Sequence, residues 1–166
     1  MIRKTVELAD QTARTNAYIA QMNDDLQTAS QLQGMLFTAA QNSGTACSEV
    51  VKTVGALNAS AGGTFSSNQE AVVFTELMNK QFVAGGTDQE DQSTVRGKLT
   101  DAMGEGVINT DMFSELETRI PQIGTLLSNA VGIGQAELDE LIAGGGLTAE
   151  LFKNAMLQSV FIQTAC

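Results

Sequence analysis

Thr28-Ala29-Ser30-Gln31, Ser67-Asn68-Gln69-Glu70 and Thr87-Asp88-Gln89-Glu90 share one form: a hydroxyl residue followed three places later by Gln or Glu. Such a tetrad is a capping box, which satisfies two of the backbone N–H groups left unpaired where an α-helix begins. Leu32, Met35, Leu36, Ala39 and Ala40 follow the first box at helical spacing. Ala71, Phe74, Met78 and Phe82 follow the second, with Glu76 and Lys80 elsewhere around the helix. The third opens a helix that the pattern carries to about Met103, with acids in the first turn where the helix dipole favours them. Helices started this firmly leave little room for a sheet.

Glycine sets most of the remaining punctuation. Gly44 stops the first of these helices, and Thr45 or Ser48 starts the next, whose apolar stripe is Cys47, Val50, Val51, Val54 and Leu57. Ala59 to Ser66 is small and glycine-rich and reads as a loop, and Gly85-Gly86 ends the helix of Phe74. Further on, a short helix is expected over Thr110 to Thr118, and Pro121 fits the first turn of another that Gly132 closes. One more covers Gln135 to Ala143, Gly144-Gly145-Gly146 intervenes, and Thr148 caps a last helix through Val160. The opening, Ile2 to Met22, is ambiguous: Ile2, Thr5-Val6 and Leu8 suggest an extended segment, Ala17, Tyr18, Ile19 and Ala20 suit strand or helix, and the reading taken is two short strands.

The expected fold is therefore all-α: a compact bundle of about seven short-to-medium helices with a small extended N-terminal segment. Within 1–166, read as a single helical domain, residues 1–22 are extended and 28–104 hold four longer helices. Residues 105–166 hold short glycine-broken helices and a final one. The length of 166 residues suits one core, and no long or proline-rich linker divides it. Leu36, Phe74 and Met78 are expected in that core.

The chemistry available is narrow. The chain has no histidine, which removes Ser-His-Asp and Cys-His machinery and any histidine-bearing zinc site. Asp24-Asp25, Asp88 with Glu90 and Asp91, Glu115 with Glu117, and Asp139-Glu140 are paired acids, but they lie at helix starts or on polar faces, where capping and solvation place acids anyway. Gly132-Ile133-Gly134 lacks the third glycine of a dinucleotide fingerprint, and Gly144-Gly145-Gly146 lacks the Lys-Ser/Thr of a P-loop. Cys47 lies on an apolar stripe and reads as a buried free thiol, and Cys166 is terminal, so no disulfide framework is expected. No catalytic, cofactor-binding or metal-binding residues are assigned.

A net charge of −10, with only nine scattered Lys and Arg, opposes a nucleic-acid surface. Arg96 and Lys98 form the nearest thing to a cluster, with Asp91 and Asp101 nearby in sequence. Glu137 to Asn154 has the outline of a helix-turn-helix without the flanking cations that phosphate contact needs. No apolar stretch is long enough to span a bilayer, and the start, MIRKTVELAD, has no apolar core of a signal peptide.

Five pieces between Leu99 and Met156 occur in a set order: Ala102-Met103-Gly104-Glu105-Gly106, Asp111-Met112-Phe113-Ser114, Pro121, Gly132-Ile133 through Glu137-Leu138, and Gly146-Leu147-Thr148. In this order and spacing they resemble the conserved N-terminal domain of bacteriophage tail tape measure proteins. Thr12-Ala13-Arg14 through Met22-Asn23-Asp24, Ala39 to Ser43, Phe65 to Glu70, and Lys80-Gln81-Phe82 through Thr87 extend the likeness. Val95-Arg96-Gly97-Lys98 and Ile108-Asn109 depart from the family's pattern.

The resemblance implies a structural and assembly domain, not an enzyme, acting in tail-length determination through protein–protein contacts. Its implied partners are other tail proteins (tube and assembly chaperones) and further copies of the full-length chain. Its implied location is the host cytoplasm during assembly and then the lumen of the virion tail. Family members are long chains, so this one is expected to be an excised part of a longer protein, in keeping with a last helix that runs into Val160, Phe161 and Ile162 without a polar stop. The binding surface is expected between Gly104 and Thr148, with Phe113, Ile133 and Leu147 either forming an exposed patch or filling a second part of the core. The alternative reading is a non-catalytic helical binding or regulatory module of bacterial origin.

Overall fold

The computed structural model describes residues 15–164, with side chains as far as Gln158. Among them are nine helices: α1 over 15–22, α2 Ala29–Ser43, α3 Cys47–Ala61, α4 Asn68–Ala84, α5 Gln89–Glu105, α6 Thr110–Arg119, α7 Ile123–Val131, α8 Gln135–Ala143 and α9 Ala149–Thr164. The expected count of about seven is too low. Residues 15–22, read as strand, are helical, because Ile19 packs into the core and that burial outweighs weak β-propensity. The rest of the expected strand pair, with Ile2, Val6 and Leu8, lies outside the described residues, as does Cys166.

The caps explain where helices begin. Thr28 Oγ1 accepts from Gln31 N at 3.1 Å while Gln31 Oε1 accepts from Thr28 N at 2.9 Å, a complete box. The second box is half made: Ser67 Oγ accepts from Glu70 N at 3.2 Å, but the Glu70 carboxylate turns to Ser66 and Lys153. The third is displaced by one residue. Asp88, not Thr87, caps α5 by accepting from Asp91 N, because Thr87 Oγ1 donates to the Arg119 carbonyl. Ala59–Ala61, expected in a loop, continue α3, and Pro121 stands just before α7 rather than inside it. Gly44 at φ +67° and Gly132 at φ +82° close α2 and α7 in the left-handed conformation that side chains disfavour.

α2 packs on α4, α4 on α3 and α3 on α5, giving the four-helix core that the long apolar stripes require. α9 lies against α4, α5 and α7, while α6, α7 and α8 pack among themselves. Leu36, Phe74 and Met78 are all buried, as their spacing predicts, and so are Leu32, Val50, Val54, Phe82 and Met103. Each such side chain stabilises by about 1.5–3 kcal/mol relative to exposure. There is no strand among the described residues, only a single antiparallel bridge between Val107 and Thr148. Ile108 N donates to the Leu147 carbonyl and Ala149 N to the Gly106 carbonyl, both at 2.9 Å, so the two loops are stitched side by side.

Two glycines, Gly85 at the end of α4 and Gly55 in the middle of α3, respond to opposite constraints. A methyl group on Gly85 would stand 2.5 Å from the Arg119 carbonyl oxygen, a backbone atom held by the Thr87 hydroxyl. A methyl on Gly55 would meet the hydroxyl and two ring carbons of Tyr18, at 2.5 and 2.7 Å for the carbons, and this half-exposed ring can swing away. Gly85→Ala should therefore destabilise by about 1–3 kcal/mol through overpacking, whereas Gly55→Ala should be near neutral or stabilise by up to about 1 kcal/mol through helix propensity. Urea melts of the two variants measure the difference.

Candidate functional site

The paired acids each have an ordinary occupation. Asp24 accepts from Asn68 N at 2.7 Å, from Leu26 N at 3.1 Å and from Gln27 Nε2 at 2.9 Å, and Asn68 Oδ1 accepts from Asp24 N in return. This exchange fastens the α1–α2 turn to the start of α4. Slight burial raises the Asp24 pKa, but these donors outweigh it and hold the carboxyl below its usual value. Asp88 is a helix cap, Asp91 pairs with Arg119 at 2.8 Å, and Glu115 pairs with Lys98 at 2.7 Å. Glu117, Asp139 and Glu140 are exposed. Among the described residues no group of three His, Cys, Asp or Glu side chains is placed to hold a metal ion.

Two cations do what the sequence reading missed. Arg96 and Lys153 are buried, although charged side chains seldom are unless paired. Arg96 Nη1 donates to Asn79 Oδ1 at 2.8 Å, and its Nη2 lies 3.6 Å from Glu49. Burial lowers the Arg96 pKa and the Glu49 charge opposes that shift. Lys153 donates to the Thr64 carbonyl at 2.9 Å, pairs with Glu70, and stands 6.0 Å from the Phe65 ring centroid. The signal was present in the helix register. Lys153 falls on the line of Ala149, Phe152 and Met156, and Arg96 on that of Gln92, Leu99 and Met103, faces that otherwise point inward.

Cys47 is half-buried and free, and burial pushes its thiol pKa up. That makes it a poor nucleophile. In the segment Glu137 to Asn154, whose outline suggested helix-turn-helix, Lys153 is the only cation and it is buried. α9 therefore presents no cationic face from this segment to a phosphate backbone.

Of the two readings of the glycine-broken region, an exposed patch or a second part of the core, burial selects the core. Phe113 is 4% exposed, Leu147 is fully buried, and Ile133 is half-buried against the core. Short helices have few residues to cover their own apolar faces, so these groups pack into or against the common core. Phe113→Ser should accordingly destabilise the domain by about 3–5 kcal/mol, read as a fall in the urea midpoint. An unchanged midpoint would return the residue to the surface.

Exposed apolar groups lie elsewhere, on α1, α2, α4 and the α1–α2 turn. Leu26 is 72% and Phe37 52% exposed, and Val83 and Tyr18 are also open. Leu26, Met35, Val72 and Val73 border a shallow groove of about 850 Å³ between α2 and α4, whose polar rim is mostly amide and hydroxyl side chains. The arrangement offers surfaces for contact and no assembled reactive group.

Against that geometry, the family model described as tape measure protein matches residues 3–161, nearly the whole chain. The chain belongs to the tape measure protein family. A phage tail tape measure domain is a structural component of the virion tail. Neither curated proteins nor solved structures provide a significant match. No helix among the described residues of this tape measure domain is long and apolar enough to cross a membrane.

Proposed function

We propose that this tape measure domain acts in tail-length determination and tail assembly through protein–protein contacts, as a single folded unit with no catalytic, cofactor or metal site of its own. Its partners in this reading are the tail tube, assembly chaperones and other copies of the full-length chain. It meets them in the host cytoplasm and ends in the tail lumen. The family match over residues 3–161 is the observation that carries the proposal. The exposed apolar residues of α1, α2 and α4, rather than the buried Phe113 and Leu147, are what such contacts have available.

The test is an in-frame deletion of residues 3–161 from the full-length gene, with tails measured by electron microscopy. Loss of tails, or tails of altered or scattered length, is the expected outcome. Tails normal in number and length would overturn the proposal and favour a helical regulatory module.

A further inference from the structure

Asn68 opens α4 and is 2% exposed, yet its polar groups are spent on a distant part of the chain. Its backbone N donates to Asp24 Oδ2 and its Oδ1 accepts from Asp24 N, both at 2.7 Å, and its Nδ2 donates to the Met22 carbonyl at 3.2 Å. Gln27 Nε2 reaches both partners, Asp24 Oδ1 at 2.9 Å and Asn68 Oδ1 at 3.3 Å. The start of α4 has its own cap in Ser67 Oγ, which accepts from Glu70 N. The Asn68 bonds serve instead to clasp the connection between α1 and α2, from 41 to 46 residues away.

The apolar hold on that connection is thin. Over residues 15–28 only Ile19 is fully buried; Thr15, Met22, Asn23 and Gln27 are half-buried and the rest lie open to solvent. Asp25 stands at φ +64°, a left-handed conformation that costs a residue with a side chain free energy. On α1 itself, Tyr18 rests half-exposed over Gly55 of α3. Local stability follows buried apolar contact. A segment held by one buried side chain and a polar clasp therefore opens at lower free energy than α2 to α5, whose stripes are buried along their length.

We infer that α1 and the turn after it, residues 15–27, form a strap that detaches from the folded core as a unit, with the Asp24–Asn68 exchange as its clasp. Opening breaks that exchange, lifts Ile19 from its seat and Tyr18 from Gly55, and releases Asp25 from its left-handed backbone. α4 keeps its Ser67 cap, and the four-helix core stays folded. Detachment thus uncovers apolar surface, the seat of Ile19 and the Gly55 side of α3, that the closed domain keeps covered.

The experiment is native-state hydrogen exchange of the 166-residue chain, followed amide by amide by NMR at rising urea concentration. The Asp24 and Asn68 amides, which the clasp itself pairs, are expected to exchange together with those of Ile19 to Met22. They should exchange faster than buried core amides such as those of Val54 and Phe82, and with a shallower dependence on urea, because opening a strap exposes little surface. Asn68→Ala, which leaves the Ser67 cap in place, should speed exchange in α1 by about tenfold, the effect of one or two lost hydrogen bonds. Exchange of the strap amides at the rate and urea slope of the core would overturn the inference, since α1 would then open only with the whole domain. Unchanged α1 exchange in Asn68→Ala would overturn it as well, since the clasp would then hold nothing.

Discussion

Replacing Phe74 by alanine is expected to destabilise the domain by about 3–5 kcal/mol. Phe74 is 2% exposed on α4 and packs edge-to-face on two rings, Phe65 at 5.4 Å and Phe152 at 6.0 Å between centroids. Phe65 belongs to the loop after α3 and Phe152 to α9, so one side chain unites three separate parts of the chain. Its loss removes transfer free energy and two ring contacts, and it opens a cavity that helices fixed on every side cannot close. Glu76, two residues along and half-buried beside the α2–α4 groove, should cost under about 0.5 kcal/mol when changed to alanine. Equal, small shifts in the urea midpoints of the two variants would show that the inward face of α4 is wrongly assigned.

Lys153→Met should cost about 2–3 kcal/mol. Breaking a fully buried ion pair costs about 3–5 kcal/mol, and the figure is reduced here because the Glu70 side chain is 21% exposed. Methionine keeps the apolar stem but leaves the Thr64 carbonyl without its donor. The pair also predicts a pH dependence. Burial raises the Glu70 pKa, but the Lys153 hydrogen bond, two hydrogen bonds from Ser66 and the Lys153 charge together hold it below its ordinary value of 4.5. A carboxyl depressed in the folded state contributes stability that is present above its unfolded pKa and is lost as pH falls through the folded one. Wild-type stability should therefore drop as pH is taken below about 4.5, the reference carboxylate range, and Lys153→Met should show a shallower drop. Parallel pH profiles for the two proteins would refute the role given to the pair.

Helices α2 to α5 were legible because their apolar stripes and terminal glycines agree with the packing, even where a cap is displaced, as in α5, or missing, as in α3. The errors are equally local. Residues 15–22 were misread because Ala17, Tyr18 and Ile19 suit strand and helix alike, and only the burial of Ile19 decides between them. Thr87 was taken as a cap because its pairing with Arg119 spans two helices and leaves no trace in neighbouring residues. Phe113 and Leu147 could not be assigned to surface or core from α6 and the α8–α9 loop alone, since the core that buries them is shared with distant parts of the chain. The Asp24–Asn68 and Arg96–Asn79 contacts were missed for the same reason. Lys153 and Arg96 were nonetheless detectable in principle, as cations on the inward lines of their helices.

The stitch between Gly106–Ile108 and Leu147–Ala149 brings together the two ends of everything from α6 to α8. That stretch sets out from the end of α5 and returns to the place it left, like an aside that resumes the sentence where it broke off. Its contour length is thereby uncoupled from the spacing of α5 and α9. Doubling such an excursion adds only about 0.6 kcal/mol of closure entropy. Insertions at Gly132–Gly134 or Gly144–Gly146 would lengthen the excursion without moving either end. Relatives of this domain can therefore differ most in size between α5 and α9 while keeping the same four-helix core.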